Sequence, residues 1–374
     1  MTATSHKMLH QTGILPAQYI KGLLRSGEIA ADEPTTPEQI QPASLDLRLG
    51  ASAFRLRASF LPGPLRTVEE MLQGVAMHEM DLSAGAVLET GCVYLVRLLE
   101  SFNLPTRLGA LANPKSSTGR IDVFTRLLVD GADEFDRIPA GYSGPLYAEI
   151  SPRTFSVLVR KGSRLNQARF KRGTTSIADA ELRRIHQDEG LIASSDADID
   201  EGIALSVDLI GDPSGLVGYR AKRHAGLIDV DCVGAYDPLD FWEAVYARPG
   251  NSIILDPNEF YILASRESVR VPPAYAAEMV PYDPLVGEFR VHYAGFFDPG
   301  FGHAAAGGEG ARAVLEVRSH EVPFLLQDGQ KIGRLIYERL TELPEDLYGG
   351  ASGAHYQAQG LKLSKHFRRP VTPG

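Results

Sequence analysis

The chain has 374 residues, 44% hydrophobic and 23% charged, with a formal net charge of −9. That length suits two domains of ordinary size, each with its own core, and the composition is that of a soluble globular protein with no apolar run long enough to cross a bilayer. The negative balance excludes a general nucleic-acid binder, whose affinity needs a basic surface, but leaves room for a small anion bound locally.

Residues 1–8 lack the apolar stretch and cleavage site of a secretory signal. With only Cys92 and Cys232 present and no CxxC spacing, a reducing cytoplasm is expected, with both cysteines as ordinary core or strand residues. Between Ile14 and Gly27, apolar Ile20, Leu23 and Leu24 fall at helical spacing before a terminating glycine, which predicts a short amphipathic helix. Ser44-Leu-Asp-Leu-Arg-Leu49 alternates as a strand. Strands are then expected over Val87 to Leu98, Gly109 to Ala112, Leu146 to Ile150 and Phe155 to Val159, and a helix over Ile177 to Ile185. An acidic, Ser/Ala-rich stretch at 188–202 reads as a linker. Strands resume over Ile253 to Ala264, Arg290 to Ala294, Ala313 to Val317 and Lys331 to Arg339. The 37 glycines and 24 prolines punctuate these short runs, as in a mainly β protein with minor helices.

The chain is written twice. Leu88 and Leu255, Pro105 and Pro272, Pro114 and Pro281, Glu149 and Glu316, and Gly162 and Gly329 are each separated by 167 positions (316 − 149). Ser44-Leu-Asp-Leu47 matches Ser206-Val-Asp-Leu209 at an offset of 162. A tandem duplication follows, with a first domain at 1–187, a linker at 188–202 and a second domain at 203–374.

The copies differ where chemistry is expected. Pro114-Lys-Ser-Ser-Thr-Gly-Arg120 gathers hydroxyls, a lysine and an arginine after a strand, a set that can wrap phosphate oxygens although its glycine spacing is not that of a Walker loop. The second copy reads Pro281-Tyr-Asp-Pro-Leu-Val-Gly287 there, and Asp283 would repel phosphate. Glu149 and Glu316 each sit in apolar strand sequence, where burial would raise a carboxyl pKa toward neutrality. Asp298 opens a turn, Phe297-Asp-Pro-Gly-Phe301, that the first copy replaces with Ile138-Pro-Ala-Gly-Tyr142. From Tyr348 to Ser364 the sequence is Gly-rich and polar, a flexible arm with ligand-capable side chains.

These segments, with Val314-Leu-Glu-Val317, resemble the dCTP deaminases, relatives of the trimeric dUTP pyrophosphatases, over nearly the whole chain. The resemblance implies two tandem dUTPase-like β-clip, or distorted jelly-roll, barrels. It implies triphosphate binding by Ser116, Ser117 and Arg120, with Lys115 where a basic residue is usual. It gives Glu316 as the catalytic acid and base, Asp298 against the deoxyribose, Val314 in the pocket, and Tyr348 and Gln359 in the closing arm. His355 stands where the family has a lysine. Arg137 matches a pocket arginine, so Arg137 and Glu149 mark an alternative first-copy site; one working site per chain and a relic near Glu149 is the expectation.

The ligands of zinc deaminases, HxE and PCxxC, are absent from the sequence, so the implied route uses a carboxylate alone: Glu316 takes a proton from water attacking C4 of cytosine and returns protons as ammonia leaves. Mg²⁺ is expected with the triphosphate, without protein ligands. The expected partner is a small deoxynucleotide, with no nucleic acid and no membrane, and a homo-oligomer is open. The alternatives to a dCTP deaminase are a dUTP pyrophosphatase, a bifunctional deaminase and pyrophosphatase, or a catalytically silent nucleotide-binding regulator.

Overall fold

A computed structural model describes residues 9–281, 289–292, 295–319, 321–349 and 360–369. The expected helix forms at Ala17–Ser26 with Ile20 buried, and it stops where Gly27 turns left-handed (φ 86°) and donates its N–H to Leu23 O. Its polar side reaches the far end of the chain, Gln18 donating to Glu342 (2.7 Å) and Lys21 pairing with Glu345.

Most of the remaining regular structure is short antiparallel sheet. In the first half one sheet runs Gly13–Ile14, Asn166–Arg172, Leu108–Pro114, Arg137–Ile138, with Leu45–Leu47 also paired to Asn166–Arg172. A second runs Ala76–Asp81, Leu49–Leu56, Val93–Asn103, Ser143–Pro152, Val123–Val129, and a small third joins Ala86–Leu88 to Val157–Val159. The second half repeats this order. Ile203–Ser206, Lys331–Arg339, Tyr275–Pro281 and Phe296–Phe297 form one sheet; Trp242–Tyr246, Leu216–Ala221, Phe260–Val269, Ala311–Ser319 and Phe289–His292 another; Ser252–Leu255 pairs with Phe324–Gln327.

Register repeats as well as order. Glu149 lies opposite Leu95 and Glu316 opposite Ile262, while Asn166 lies opposite Pro114 and Gly333 opposite Pro281, each pair displaced by the same 167 positions. The offset of 162 does not survive. Leu47 pairs with Asn166 and Leu205 with Gly333, so the structural counterpart of Asp46 is Ala204, not Asp208. Asp208 instead accepts the backbone N–H groups of Ile210 and Gly211, a turn role that brings the same short motif there for a different reason.

Three further expectations are corrected. Two long strands are each cut in two, around Gly91 (φ 74°) and Asn258 (φ 62°), left-handed residues that a continuous strand cannot hold. The stretch 188–202 is not a free linker: the helix before it is Asp179–Glu189, and Leu182, Leu191, Ile192 and Ile199 are buried in the second core. Cys232 is exposed in a turn closed by its N–H to Asp229 O, and Cys92 is partly buried.

The larger core is not confined to one half. Trp242, Phe260, Ile262, Val314 and Phe367 pack in the same cluster as Leu45, Val96, Ile121, Val123 and Phe170. A strand of the second half, Ile228–Asp229, adds in parallel to Val157–Val159. The halves therefore meet over an apolar, desolvated junction, and the candidate site lies in it.

Candidate active site

The anion segment follows the strand Leu108–Pro114 as a single helical turn, Ser116–Gly119. Lys115 O accepts the N–H groups of Thr118 (2.8 Å) and Gly119 (3.0 Å), and Thr118 Oγ1 donates to Leu165 O (3.0 Å), so small and hydroxyl side chains close the turn on its own backbone. Ser117, Gly119 and Arg120 are buried, and Ser116 is partly so. Lys115 is ion-paired with Asp46, which is also 3.8 Å from Arg164. Asp122 ends the segment in a left-handed conformation (φ 55°), its carboxylate accepting from Thr154 Oγ1 and paired with Arg318 of the second half.

Glu316 comes from the strand Ala311–Ser319, across from Ile262 and His292. Alternate residues of a strand share a face, and here that face is turned on the first half: Val314 enters the larger core, Glu316 abuts the anion segment and Arg318 grips Asp122. A Cβ on Gly119 would lie 2.5 Å from Glu316 Oε2. Only 4% of Glu316 is exposed. Burial pushes its carboxyl well above the usual carboxylate range; the Arg120 cation pulls it down and the Asp122 anion pushes it further up.

Asp298 lies in the turn after Phe296–Phe297 and is held from the first half. Arg169, completely buried, donates to Ala277 O (3.0 Å), Phe297 O (3.3 Å) and Asp298 Oδ1 (3.3 Å), its guanidinium 4.0 Å from the Phe296 ring centroid. Burial raises the Asp298 pKa, and the Arg169 cation beside it lowers it. Tyr348 packs on Phe301 (5.7 Å between centroids) and its N–H donates to Pro299 O (2.8 Å), so the start of the arm rests on the turn that carries Asp298.

The fold thus brings Lys115, Ser116, Ser117, Arg120, Val314 and Glu316 to the junction between the halves, across which Arg169 also holds Asp298, while Tyr348 packs on the turn that carries Asp298. His355, Gln359 and the segment 282–288 lie outside the described residues. Arg137 and Glu149 are not brought together. Arg137 is exposed and pairs with Glu134 (3.1 Å), whereas Glu149 is buried and accepts from Ser59 (2.9 Å), burial raising its pKa. Sequence reading missed Arg169, Asp46, Asp122 and Arg318. The available signal was position: Arg169 and Arg318 are charges on strands otherwise rich in core residues, where a buried cation needs a partner across the junction.

Two family models match the chain: the N-terminal domain of 2'-deoxycytidine 5'-triphosphate deaminase over residues 11–174 and the C-terminal domain over residues 178–367. Among curated proteins the chain is 32% identical over 152 residues to a protein of Beutenbergia cavernae named "dCTP deaminase, dUMP-forming", covering 38% of this chain and 74% of that one. A protein of Kocuria rhizophila with the same name is 30% identical over 192 residues, 49% of this chain and 90% of the relative. Among solved structures, 2'-deoxycytidine 5'-triphosphate deaminase from Agrobacterium tumefaciens superposes with a TM-score of 0.86 at 58% identity, covering 88% of this chain and all of that one.

Proposed function

The chain belongs to the 2'-deoxycytidine 5'-triphosphate deaminase family and is an enzyme that deaminates dCTP; from that premise we propose that it converts dCTP and water to dUTP and ammonia at one site, with Glu316 as general base and acid. The observation that carries this reading is the contact of the buried Glu316 carboxylate with Gly119, which sets a proton acceptor of raised pKa against the segment suited to phosphate. Glu316 takes a proton from the water that adds to C4. It then passes protons to N3 and to the amine, and ammonia leaves as the carbonyl forms. Ser116, Ser117 and Arg120 bind the triphosphate, Asp298 held by Arg169 receives the sugar hydroxyl, and Tyr348 begins the closing arm.

We further propose that the two halves are copies of one dUTPase-like barrel, a reading supported by the repeated strand order and register and by relatives that match over most of their own length but half of this chain or less. Mg²⁺ would arrive with the triphosphate and neutralise part of its charge. The anion segment offers hydroxyls and cations rather than carboxylates, so phosphate oxygens and water are its natural ligands. A homo-oligomer is not required to complete the pocket, since both walls come from one chain. A cytoplasmic location fits the nucleotide substrate and the two free thiols.

A second reading is favoured by the names of the curated relatives: hydrolysis continues to dUMP and pyrophosphate. Incubation with dCTP and Mg²⁺ and separation of dUTP, dUMP, pyrophosphate and ammonia tests both. Ammonia with dUTP supports the first, ammonia with dUMP and pyrophosphate the second, and nucleotide bound without ammonia release would reject the enzyme reading.

A further inference from the structure

The turn that carries Asp298 is gripped from across the junction by one side chain. Arg169, on the first half's strand Asn166–Arg172, is completely buried. Its Nη1 donates to Ala277 O (3.0 Å), and its Nη2 donates to Phe297 O and to Asp298 Oδ1 (both 3.3 Å). Ala277 and Phe297 are strand partners, so a single guanidinium ties two strands of the second half together and fixes the carboxylate that follows them. The Phe296 ring lies against the cation, its centroid 4.0 Å away, and Glu338 is 3.7 Å from Nη1. Only 7% of Asp298 is exposed, and among the described residues no donor is bonded to its Oδ2.

The repeat shows that these groups form a set. Register makes Phe296, opposite Glu278, the counterpart of Arg137, opposite Leu111 (278 − 111 = 167), and two residues on it sets Asp298 against Pro139. By the same offset Arg169, also opposite Leu111, corresponds to Ile336, opposite Glu278. The acid, the ring against the arginine and the arginine itself all differ from their counterparts, although they come from different halves. Cohesion of the junction does not call for this set. Lys171 and Glu338, themselves 167 positions apart, already pair across it (2.6 Å), and a buried ion pair stabilises little over well-packed apolar residues of similar volume.

We propose that Arg169 is the positioning residue through which the enzyme reads the 3'-hydroxyl of its substrate. The proposal rests on the sugar role given above to Asp298 and names what makes that role selective. With Oδ1 held by the guanidinium, the carboxylate is fixed in rotation and Oδ2 is presented in one direction as an acceptor. A nucleotide without the hydroxyl leaves that buried oxygen unpaired, which is how a site built to bond a hydroxyl rejects an analogue that lacks it. The planar fork is required, because the compact charge of an ammonium cannot span Ala277 O, Phe297 O and Oδ1 together. Arg169 touches no substrate atom, and its effect passes through Asp298.

Ammonia release from dCTP and from 2',3'-dideoxycytidine 5'-triphosphate, which lacks the 3'-hydroxyl, tests this in the native protein, Arg169→Ile, Arg169→Lys and Asp298→Asn. The native protein should prefer dCTP tenfold or more in kcat/KM. In both Arg169 variants the preference should fall to threefold or less, with the loss on dCTP and a change of threefold or less on the dideoxynucleotide. Arg169→Lys keeps a buried cation for Asp298 and Glu338 and serves if Arg169→Ile fails to fold, which melting curves will show. Adding Arg169→Lys to Asp298→Asn should cost dCTP turnover no more than a further twofold, as expected of two residues that act through one group. A preference kept in a folded variant, equal losses on the two nucleotides, or additive losses in the double variant overturns the proposal. A native protein that turns over both nucleotides equally would instead sink the sugar role of Asp298 on which it rests.

Discussion

The carboxylate of Glu316 and the Cα of Gly119 face each other across the junction between the halves, with no room between them for a methyl group. Gly119→Ala would put a Cβ 2.5 Å from Oε2, so the end of the Glu316 side chain must move while the backbone of both halves can stay. Misplacing a catalytic group by about an ångström costs on the order of 10²-fold in rate. Gly119→Ala is expected to lose about that factor in kcat for ammonia release with a melting temperature close to native. A kcat within threefold of native would mean that this contact does not set the geometry of the reaction.

Burial of Glu316 has consequences in pH for both rate and stability. As a base it must be ionised, so kcat/KM should rise with pH through its folded pKa, with an acid limb above the ordinary carboxylate range. Arg120→Met, which removes the cation that lowers this pKa, should move the limb to higher pH as well as weaken dCTP binding. For stability the folded state holds the proton more tightly than the unfolded chain. The penalty is therefore absent below the unfolded pKa and grows as pH rises to the folded one. Glu316→Gln escapes it, so its melting temperature should gain on native as pH rises above the ordinary carboxylate range, while ammonia release is abolished and nucleotide binding kept. A constant difference in melting temperature would show that Glu316 is not buried as described.

Much of this was legible because the chain repeats itself. A constant offset of 167 residues fixed the equivalence of Glu149 and Glu316 before any strand was placed, and the pairing of each glutamate with Leu95 or Ile262 follows it. Composition and the difference between copies pointed to the anion segment in the first half and the acids in the second. Three-dimensional contact was not legible. A four-residue alternating motif is too short to fix register, so Asp46 was matched to Asp208 when its strand position corresponds to Ala204. Nor does local sequence say that Arg169 would hold Asp298, or that residues 360–369 would dock on Ser117, since those partners are more than a hundred residues apart.

Arg318 and Asp122 form a buried ion pair that ties the strand of Glu316 to the end of the anion segment, with side-chain exposures of 7% and 1%. Removing one partner leaves a charge buried without its counterion, which typically costs about 3–5 kcal/mol. Arg318→Met is expected to lower stability by that order. Adding Asp122→Asn should recover a large part of it, because asparagine removes the charge and tolerates the left-handed backbone that Asp122 adopts (φ 55°). Chemical denaturation of the single and double variants measures both; a double variant no more stable than Arg318→Met would show that backbone packing, not charge pairing, holds the segment.

The number of sites per chain follows from what covers each copy of the acidic strand. Ile262, Val314 and Glu316 correspond to Leu95, Tyr147 and Glu149, and in the second half the first two pack into the core shared with the first half, while Glu316 meets the anion segment. In the first half the same face is closed by the chain's own residues. Leu95 and Tyr147 cluster with Leu56, Val68 and Leu128, the helix Val68–Val75 lies over them, and Ser59 donates to Glu149 (2.9 Å). A phosphate-binding segment cannot approach Glu149 without displacing that cover, and Arg137 points instead to Glu134 in solvent. Titration calorimetry with a nonhydrolysable dCTP analogue should therefore give one site per chain. Glu149→Gln and Arg137→Ala should each retain kcat/KM within threefold of native; two equivalents bound, or a large loss in either variant, would assign the first copy a working pocket.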